Sequence, residues 1–307
     1  MSNKKIIITV DSGASNTKAK SEVGTLLYAT KVTEGFTTGF LGENTFNAEV
    51  DGVRMTIGDK AEYADKREGK DTNTHIWSTL VAVAKLRGDA EKVVLGYGES
   101  YNKYVQDEQR EAIKSKLEGE HTVIFYEGNN VVEHRFTIEL VQILPEGLGS
   151  VLIDLENNLG LKYVLDWGGS TVNFLEINDG QPTENSQSFQ LGSYNVYAKV
   201  KKALAQSSVG AQSDLQVKTW VDKGCDNIQI QEIIDDVIKK QLQKIDNELD
   251  GYGINLHKYL EVEFIGGTAK LFNKQIKSYF KCAKMVDRPL TCNVDGFYEY
   301  MRLVYND

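Results

Sequence analysis

Little in this chain of 307 residues supports metal clusters, disulfides or membrane insertion. Its three cysteines, Cys225, Cys282 and Cys292, are odd in number and nowhere show the paired CxxC spacing of a zinc site, so ordinary reduced thiols are expected. The four histidines, His75, His121, His134 and His257, are equally scattered. No apolar run approaches the ~20 residues needed to span a bilayer. The run after the two N-terminal lysines is five residues long and is followed by Asp11, which is wrong for a signal peptide. A cytoplasmic protein with no membrane partner is expected. Basic residues are outnumbered, 35 against 44 acidic, and the net charge of −9 opposes direct binding to nucleic-acid phosphates, where affinity comes from clustered Lys and Arg. Any link to DNA is therefore expected to need an adaptor.

The composition that remains, 41% hydrophobic and 26% charged, is that of a globular protein long enough for two domains, each with its own core. Lys5 to Val10 is a β-branched run ending at Asp11 and Gly13, and Thr17 to Ser21 follows at hairpin distance. Gly35 to Gly58 is rich in Gly and Thr and reads as a strand-poor insertion with exposed loops, followed by the polar stretch Asp65 to Asn73. Helical spacing of Ile76, Leu80, Val83 and Ala84 predicts a helix over Thr74 to Leu86, and Lys92 to Gly96 a buried strand. Val141 to Leu144 reads as a strand running into the turn Pro145-Glu146-Gly147, with a helix over Leu148 to Leu155.

The opening pattern then recurs. Tyr163 to Leu165, Asp166, Gly168, Gly169 and the alternating Thr171 to Ile177 again spell strand, Asp/Gly turn, strand, and the turn Asn178-Asp179-Gly180 leads to a third strand. The chain thus reads as internally duplicated. Helices are predicted over Asn195 to Ala205, Asp214 to Val221 and Gln229 to Leu249, the last with one apolar stripe from Ile230 through Ile233, Ile234, Val237, Ile238, Leu242 and Ile245 to Leu249. Val262 to Ile265 is a strand ending in Gly266-Gly267-Thr268 before a helix over Leu271 to Tyr279, a geometry suited to anions. The closing segment Asp295 to Asp307 offers Phe297, Met301 and Leu303 or Val304 for packing against the first domain.

A single Asp-x-Gly turn is commonly structural. Two at equivalent places carry more meaning, because a phosphate chain needs backbone N–H groups that approach without an intervening Cβ. Gly13 in one hairpin and Gly168 and Gly169 in the other meet that need; Ser12, Ser15, Ser170, Thr171 and Lys18 add donors for phosphate oxygens, and Asn16 in the first turn is a further candidate binding residue. Asp11 and Asp166 end their strands where hydrated Mg²⁺ would be held, since Mg²⁺ keeps most of its waters and binds few carboxylates.

In order and spacing, DSGASNTK (Asp11 to Lys18), DWGGSTVNF (Asp166 to Phe174) and IGGTAKLF (Ile265 to Phe272), with connecting motifs at Leu144 to Gly147 and Asn293 to Phe297, resemble the actin, sugar-kinase and heat-shock-chaperone superfamily. Short length, VLDWGGST and the ending NVDGFYEY lean toward ParM-like bacterial plasmid-segregation proteins. The resemblance implies an α/β, RNase H-like duplicated two-domain fold with a nucleotide cleft between the domains. Expected are a first domain over 1–146, with an insertion at about 22–75 and the helix 295–307 packed back on it, and a second over 147–294 with a helical insertion at about 193–258. It further implies ATP or GTP with Mg²⁺ as cofactors, Gly266, Gly267 and Thr268 at the nucleoside, Asp11 and Asp166 at the metal through water, and Glu146 orienting the attacking water. Such a protein would be an ATPase, or a GTPase, that assembles into filaments and moves plasmid DNA through a ParR-like centromere-binding adaptor. A sugar or polyol kinase is the alternative, although Tyr97 to Tyr101 contains no Asp-bearing sugar motif.

Overall fold

A computed structural model describes residues 4–64 and 69–305. The chain divides into two units, Met1–Gly160 with Thr291–Asp307, and Leu161–Leu290. The division falls at Gly160 rather than at the expected Glu146, because the segment after Glu146 packs on the C-terminal helix, as described below.

Unit 1 opens with β1 (Lys5–Ser12), β2 (Asn16–Ser21), β3 (Gly24–Ala29) and β4 (Val32–Glu34). The hairpin β5 (Thr45–Val50) and β6 (Val53–Gly58) follows. Then come α1 (Asn73–Leu86), β7 (Lys92–Glu99), α2 (Tyr101–Tyr104), α3 (Asp107–Leu117), β8 (Gly119–Glu127), β9 (Asn130–Pro145) and α4 (Gly149–Leu152). The strands form one sheet ordered β3-β2-β1-β7-β9-β8-β5-β6-β4. Alternation in β1 and β2 gives one apolar face, and α1 covers it: Ile6, Ile8 and Val10 join Leu80, Val83 and Ala84 in the core.

The expectation of a strand-poor stretch over Gly35 to Gly58 is wrong. β5 and β6 pair in register from Thr45↔Gly58 to Val50↔Val53, across a turn in which Asp51 and Gly52 both have positive φ, 47° and 86°. That is the mirror-image turn whose twist matches a hairpin. The helix expected over Leu148 to Leu155 is likewise reduced to the four residues of α4 and a 3₁₀ turn at Leu155–Asn157.

Unit 2 contains β10 (Leu161–Trp167), β11 (Val172–Asn178), β12 (Gln181–Pro182), β13 (Gln187–Phe189), α5 (Ser193–Gln206), α6 (Asp214–Lys223) and α7 (Ile228–Gly251). It continues with β14 (Val262–Ile265), α8 (Gly267–Leu271), α9 (Asn273–Tyr279) and β15 (Ala283–Met285). The sheet order is β12-β11-β10-β14-β15, with β13 against β11. The α7 stripe is core as its spacing predicts, with Ile230, Ile234, Ile238, Leu242, Ile245 and Leu249 all buried. The helix expected over Leu271 to Tyr279 instead begins at Gly267 and breaks at Phe272.

The two units repeat one plan. β1 pairs antiparallel with β2 and parallel with β7, and β7 parallel with β9. β10 pairs antiparallel with β11 and parallel with β14, and β14 parallel with β15.

The chain returns to unit 1 as α10 (Cys292–Tyr305). Phe297 and Met301 are fully buried, whereas Leu303 and Val304, one or the other expected to pack as well, are 72% and 46% exposed. Residues 306 and 307 lie outside the described residues, as do 65–68 of the expected insertion. Gly98 and Gly96 on β7 make room for α10: a Cβ would lie 3.0 Å from Phe297 at the first and 3.1 Å from Met301 at the second. Among the described residues no helix is long and apolar enough to cross a membrane, and Cys225, Cys282 and Cys292 are all unbridged.

Candidate functional site

In unit 1 the turn between β1 and β2 closes with Gly13 N donating to Asn16 O at 3.1 Å. Asp11 and Lys18 then face each other across the ladder. Asp11, Ser12 and Thr17 beside the turn are buried while residues 13–16 are half-buried, so the tip meets solvent. A Cβ at Gly13 would lie 3.3 Å from Asn16 O, 3.6 Å from Lys18 Nζ and 3.8 Å from Asp11 Oδ1. Glycine therefore leaves a small cradle between a cation and a carboxylate. Ser12 is oriented differently: fully buried, its hydroxyl lies 3.2 Å from Thr17 Oγ1 and 3.1 Å from His75 Nδ1, so it braces the hairpin from within.

Behind this tip lies a cluster whose centre the sequence did not reveal. Lys70 Nζ donates to Asp11 Oδ1 at 2.8 Å, Lys18 Nζ to Asp11 Oδ2 at 2.8 Å, and Lys70 also ion-pairs with Glu146 Oε1. The backbone of Lys70 is held as firmly: its N–H donates to Glu99 Oε2 at 2.9 Å and its carbonyl accepts from Tyr97 Oη at 3.1 Å. Glu99 also accepts from Ser100 N at 2.7 Å and Gln109 Nε2 at 3.2 Å, and its carbonyl accepts the N–H of Glu146 at 2.8 Å. Asp11, Lys70, Glu99 and Glu146 are 2%, 6%, 0% and 8% exposed, so each charge depends on its neighbours rather than on water.

Burial alone would raise the pKa of Asp11, but Lys18 and then Lys70 outweigh it and hold the carboxyl well below the usual range. Burial likewise opposes the charge on Lys70, yet Asp11 and Glu146 keep its ammonium well above the ordinary lysine value. Glu146 and Glu99 are pushed up by burial, with Lys70 working against the shift in both.

The connecting motifs meet in the same unit. Gly147 N donates to Asn293 Oδ1 at 3.1 Å. A Cβ on Gly296 would lie 2.6 Å from the carbonyl carbon of Gly149, and one on Gly149 would lie 2.8 Å from Asn293 N. Backbone meets backbone here, which is why both positions are glycine.

Unit 2 repeats the hairpin, Gly168 N donating to Thr171 O at 2.9 Å. The carbonyls of its tip are engaged by the start of α5: Ser193 N, Tyr194 N and Gly192 N donate to the oxygens of Gly168, Gly169 and Ser170 at 3.2, 3.0 and 2.9 Å. The third motif joins them, with Thr268 Oγ1 donating to Gly168 O at 2.7 Å. Gly266, at φ 95°, lies against the Asp166 carboxylate; a Cβ there would collide with it and with Trp167 O at 2.5 Å. Asp166 and Gly168 are thus brought together with Gly266 and Thr268; Gly169, Ser170 and Thr171 form the adjoining tip, and Gly267 starts α8. On α7, Lys239 and Gln243 are exposed. The buried polar residue is Gln241, which accepts from Lys199 Nζ at 2.7 Å and donates to Leu191 O at 2.9 Å. Among the described residues no three His, Cys, Asp or Glu side chains converge as a metal cage.

Residues 9–149 match the family model described as the N-terminal domain of actin-like proteins. No curated protein sequence matches the chain. Among solved structures, the archaeal actin homologue Ta0583 superposes with a TM-score of 0.80 at 17% identity, covering 97% of this chain and 99% of that one. It has also been solved in complex with ADP, with a TM-score of 0.75 at 16% identity over 98% of this chain and all of that one. A non-polymerisable quadruple mutant of the pCBH ParM protein gives 0.78 at 17% identity over 98% and 100% of the two chains. The Alp12 filament structure gives 0.70 at 18% identity over 98% and 99%. The resemblance to actin-like proteins drawn from the motifs is borne out, and the fold is the two-domain α/β fold of the actin homologues.

Proposed function

We propose that this chain binds a purine nucleoside triphosphate, assembles with further copies of itself into filaments, and hydrolyses the nucleotide within them. The observation that carries this reading is the repeated Asp/Gly hairpin, closed by the same Gly N–H to carbonyl bond at Gly13 and Gly168, with Glu146 held beside Asp11 through Lys70. The N–H groups of the tips and the ammonium of Lys18 would bind phosphate oxygens. Gly266, Gly267 and Thr268, beside the second hairpin, would take the nucleoside.

Asp11 fits a metal ion held through water better than one bound directly. Both its oxygens already accept an ammonium at 2.8 Å, yet each keeps a second lone pair that a metal-bound water could use. Asp11 and Asp166 are the residues that would hold Mg²⁺ in this way, and the ion would supply charge neutralisation at the phosphate oxygens. Glu146 would accept a hydrogen bond from the attacking water and hold it in line with the terminal phosphate; in phosphoryl transfer such positioning is most of what a side chain needs to do.

The ParM likeness extends the proposal to plasmid DNA segregation, through a DNA-bound adaptor because the net charge of −9 opposes direct binding to DNA phosphates. The test is right-angle light scattering on adding ATP or GTP with Mg²⁺, with phosphate release followed in the same cuvette. Scattering that rises and then decays as phosphate appears is expected. Glu146→Ala should bind nucleotide and assemble but release no phosphate. Absent scattering, with phosphoryl transfer only when a sugar or polyol is supplied, would replace the filament reading with the kinase one.

A further inference from the structure

In the function proposed above Lys70 only links Asp11 to Glu146, and its placement gives it a further role. Its ends are treated differently. The backbone is pinned, its N–H by Glu99 and its carbonyl by Tyr97. Gly69 beside it sits at φ 92°, with Gln109 Nε2 3.1 Å from where a Cβ would stand. The ammonium sits at the end of a four-carbon stem with several rotatable bonds, so it can change partners while the chain that carries it stays still.

Its present partners are the two carboxylates that the proposed chemistry needs. It bonds the Asp11 oxygen that lies 3.8 Å from the cradle position at Gly13, and it occupies Glu146. With Lys70 in place, the ammonium groups of Lys18 and Lys70 offset the buried carboxylates of Asp11 and Glu146, with Glu99 alongside. A terminal phosphate seated on the hairpin tip brings further negative charge to the same cation, and its oxygens compete with Glu146 for the ammonium.

We propose, on the basis of the nucleotide-binding function above, that Lys70 is a positioning residue for the terminal phosphate. Its ammonium moves from Glu146 to the phosphate when a triphosphate binds, which frees the Glu146 carboxylate to take the attacking water. A diphosphate ends short of that reach and leaves Lys70 on Glu146. The site therefore distinguishes the two nucleotides through one lysine and exposes its water-orienting group only when there is a bond to cleave.

The test is calorimetric titration of the whole protein with ADP and with a non-hydrolysable ATP analogue, both with Mg²⁺ and below the concentration at which scattering reports assembly. The guanine pair is used if the wild type binds only that base. Lys70→Met should bind the diphosphate within about threefold of wild type and lose about 10- to 100-fold on the triphosphate analogue, the usual worth of one hydrogen bond to a charged group. Lys70→Arg should recover most of the loss, and Lys70→Gln serves if the methionine variant does not fold. A purely structural lysine would weaken both nucleotides equally or neither; a Lys70→Met protein that retains the wild-type preference overturns the proposal and leaves nucleotide binding intact. Failure of the wild type to bind any of the four nucleotides overturns the nucleotide reading and this inference together.

Discussion

Replacing Asp11 would ordinarily be read as a test of metal binding, and the structure changes what it measures. Asp11→Ala removes the carboxylate that two ammonium groups share. Lys18 has 13% of its side chain exposed and can turn toward water; Lys70 has 7% and, among the described residues, keeps its ion pair with Glu146. Removing one partner of a buried ion pair costs about 3–5 kcal/mol, because the remaining charge stays desolvated. Against a typical total of about 5–15 kcal/mol, that is enough to abolish function through stability alone.

A double-mutant cycle separates the causes. Lys70→Met removes the cation, leaves Asp11 with Lys18, and lets Glu146, already pushed up by burial, take up a proton. The pair Asp11→Ala/Lys70→Met should therefore be less destabilised than the sum of the single changes, with a coupling of about 1–3 kcal/mol, inside the range seen for residues in contact. Urea unfolding followed by far-UV circular dichroism and tryptophan fluorescence supplies the free energies, and coincidence of the two probes checks that the transition is two-state. Additivity to within about 0.5 kcal/mol would refute the buried pair. Asp11→Asn, which keeps an acceptor and the shape of the side chain, is then the better probe of cation-dependent nucleotide binding: it should fold better than the alanine variant and still lose that dependence.

Gly192→Ala places a Cβ against the carbonyl group of Gly169 and 2.5 Å from the carbonyl carbon of Ser170; it should cost about 1–3 kcal/mol by overpacking and weaken nucleotide binding by tilting the second hairpin, as thermal melting and titration would show. Gly251→Ala at the end of α7 meets nothing within 4 Å and should be neutral or stabilise by about 0.4–1 kcal/mol; a loss of melting temperature there would undercut the steric account. His134 has its pKa lowered by burial first and then by Arg87 and Lys85, against the pull of Glu127. Its unfolded form thus binds protons more readily than its folded form, so its stabilising contribution is complete above about pH 6.5 and is lost as pH falls from there through the lowered folded value. His134→Gln should flatten the fall in melting temperature over that window, and an unchanged slope would assign the pH dependence to other groups.

The fold was legible where the signal is local. Both Asp/Gly hairpins, the α1 and α7 stripes and the strand over Lys92 to Gly96 follow from turn chemistry and apolar period, and those are decided within a few residues. The missed hairpin of β5 and β6 carried a local signal too: Asp51-Gly52 between the alternating TFNAEV and VRMTIG is the strongest short hairpin cue there is, and the Gly and Thr content around it drowned the cue. Leu303 and Val304 show the opposite limit. The period places them near the apolar stripe of α10, but the groove that receives Phe297 and Met301 is cut by Gly96 and Gly98 on another element, and it ends before them.

Lys70 was invisible for a deeper reason. It lies in a polar stretch that reads as solvent-exposed, and its burial comes from three parallel strands ending side by side. Val10 faces Tyr97 and Glu99 faces Pro145 in the registers of β1, β7 and β9, which brings Asp11, Glu99 and Glu146 to one edge of the sheet. Three carboxyl groups gathered there would repel one another and could not all stay ionised without a cation among them. The register, once known, requires that cation without naming it. A metal, a ligand charge or a lysine would each meet the requirement; here the chain supplies its own, from a segment pinned to Glu99 and Tyr97, with the ammonium placed on Asp11 and Glu146.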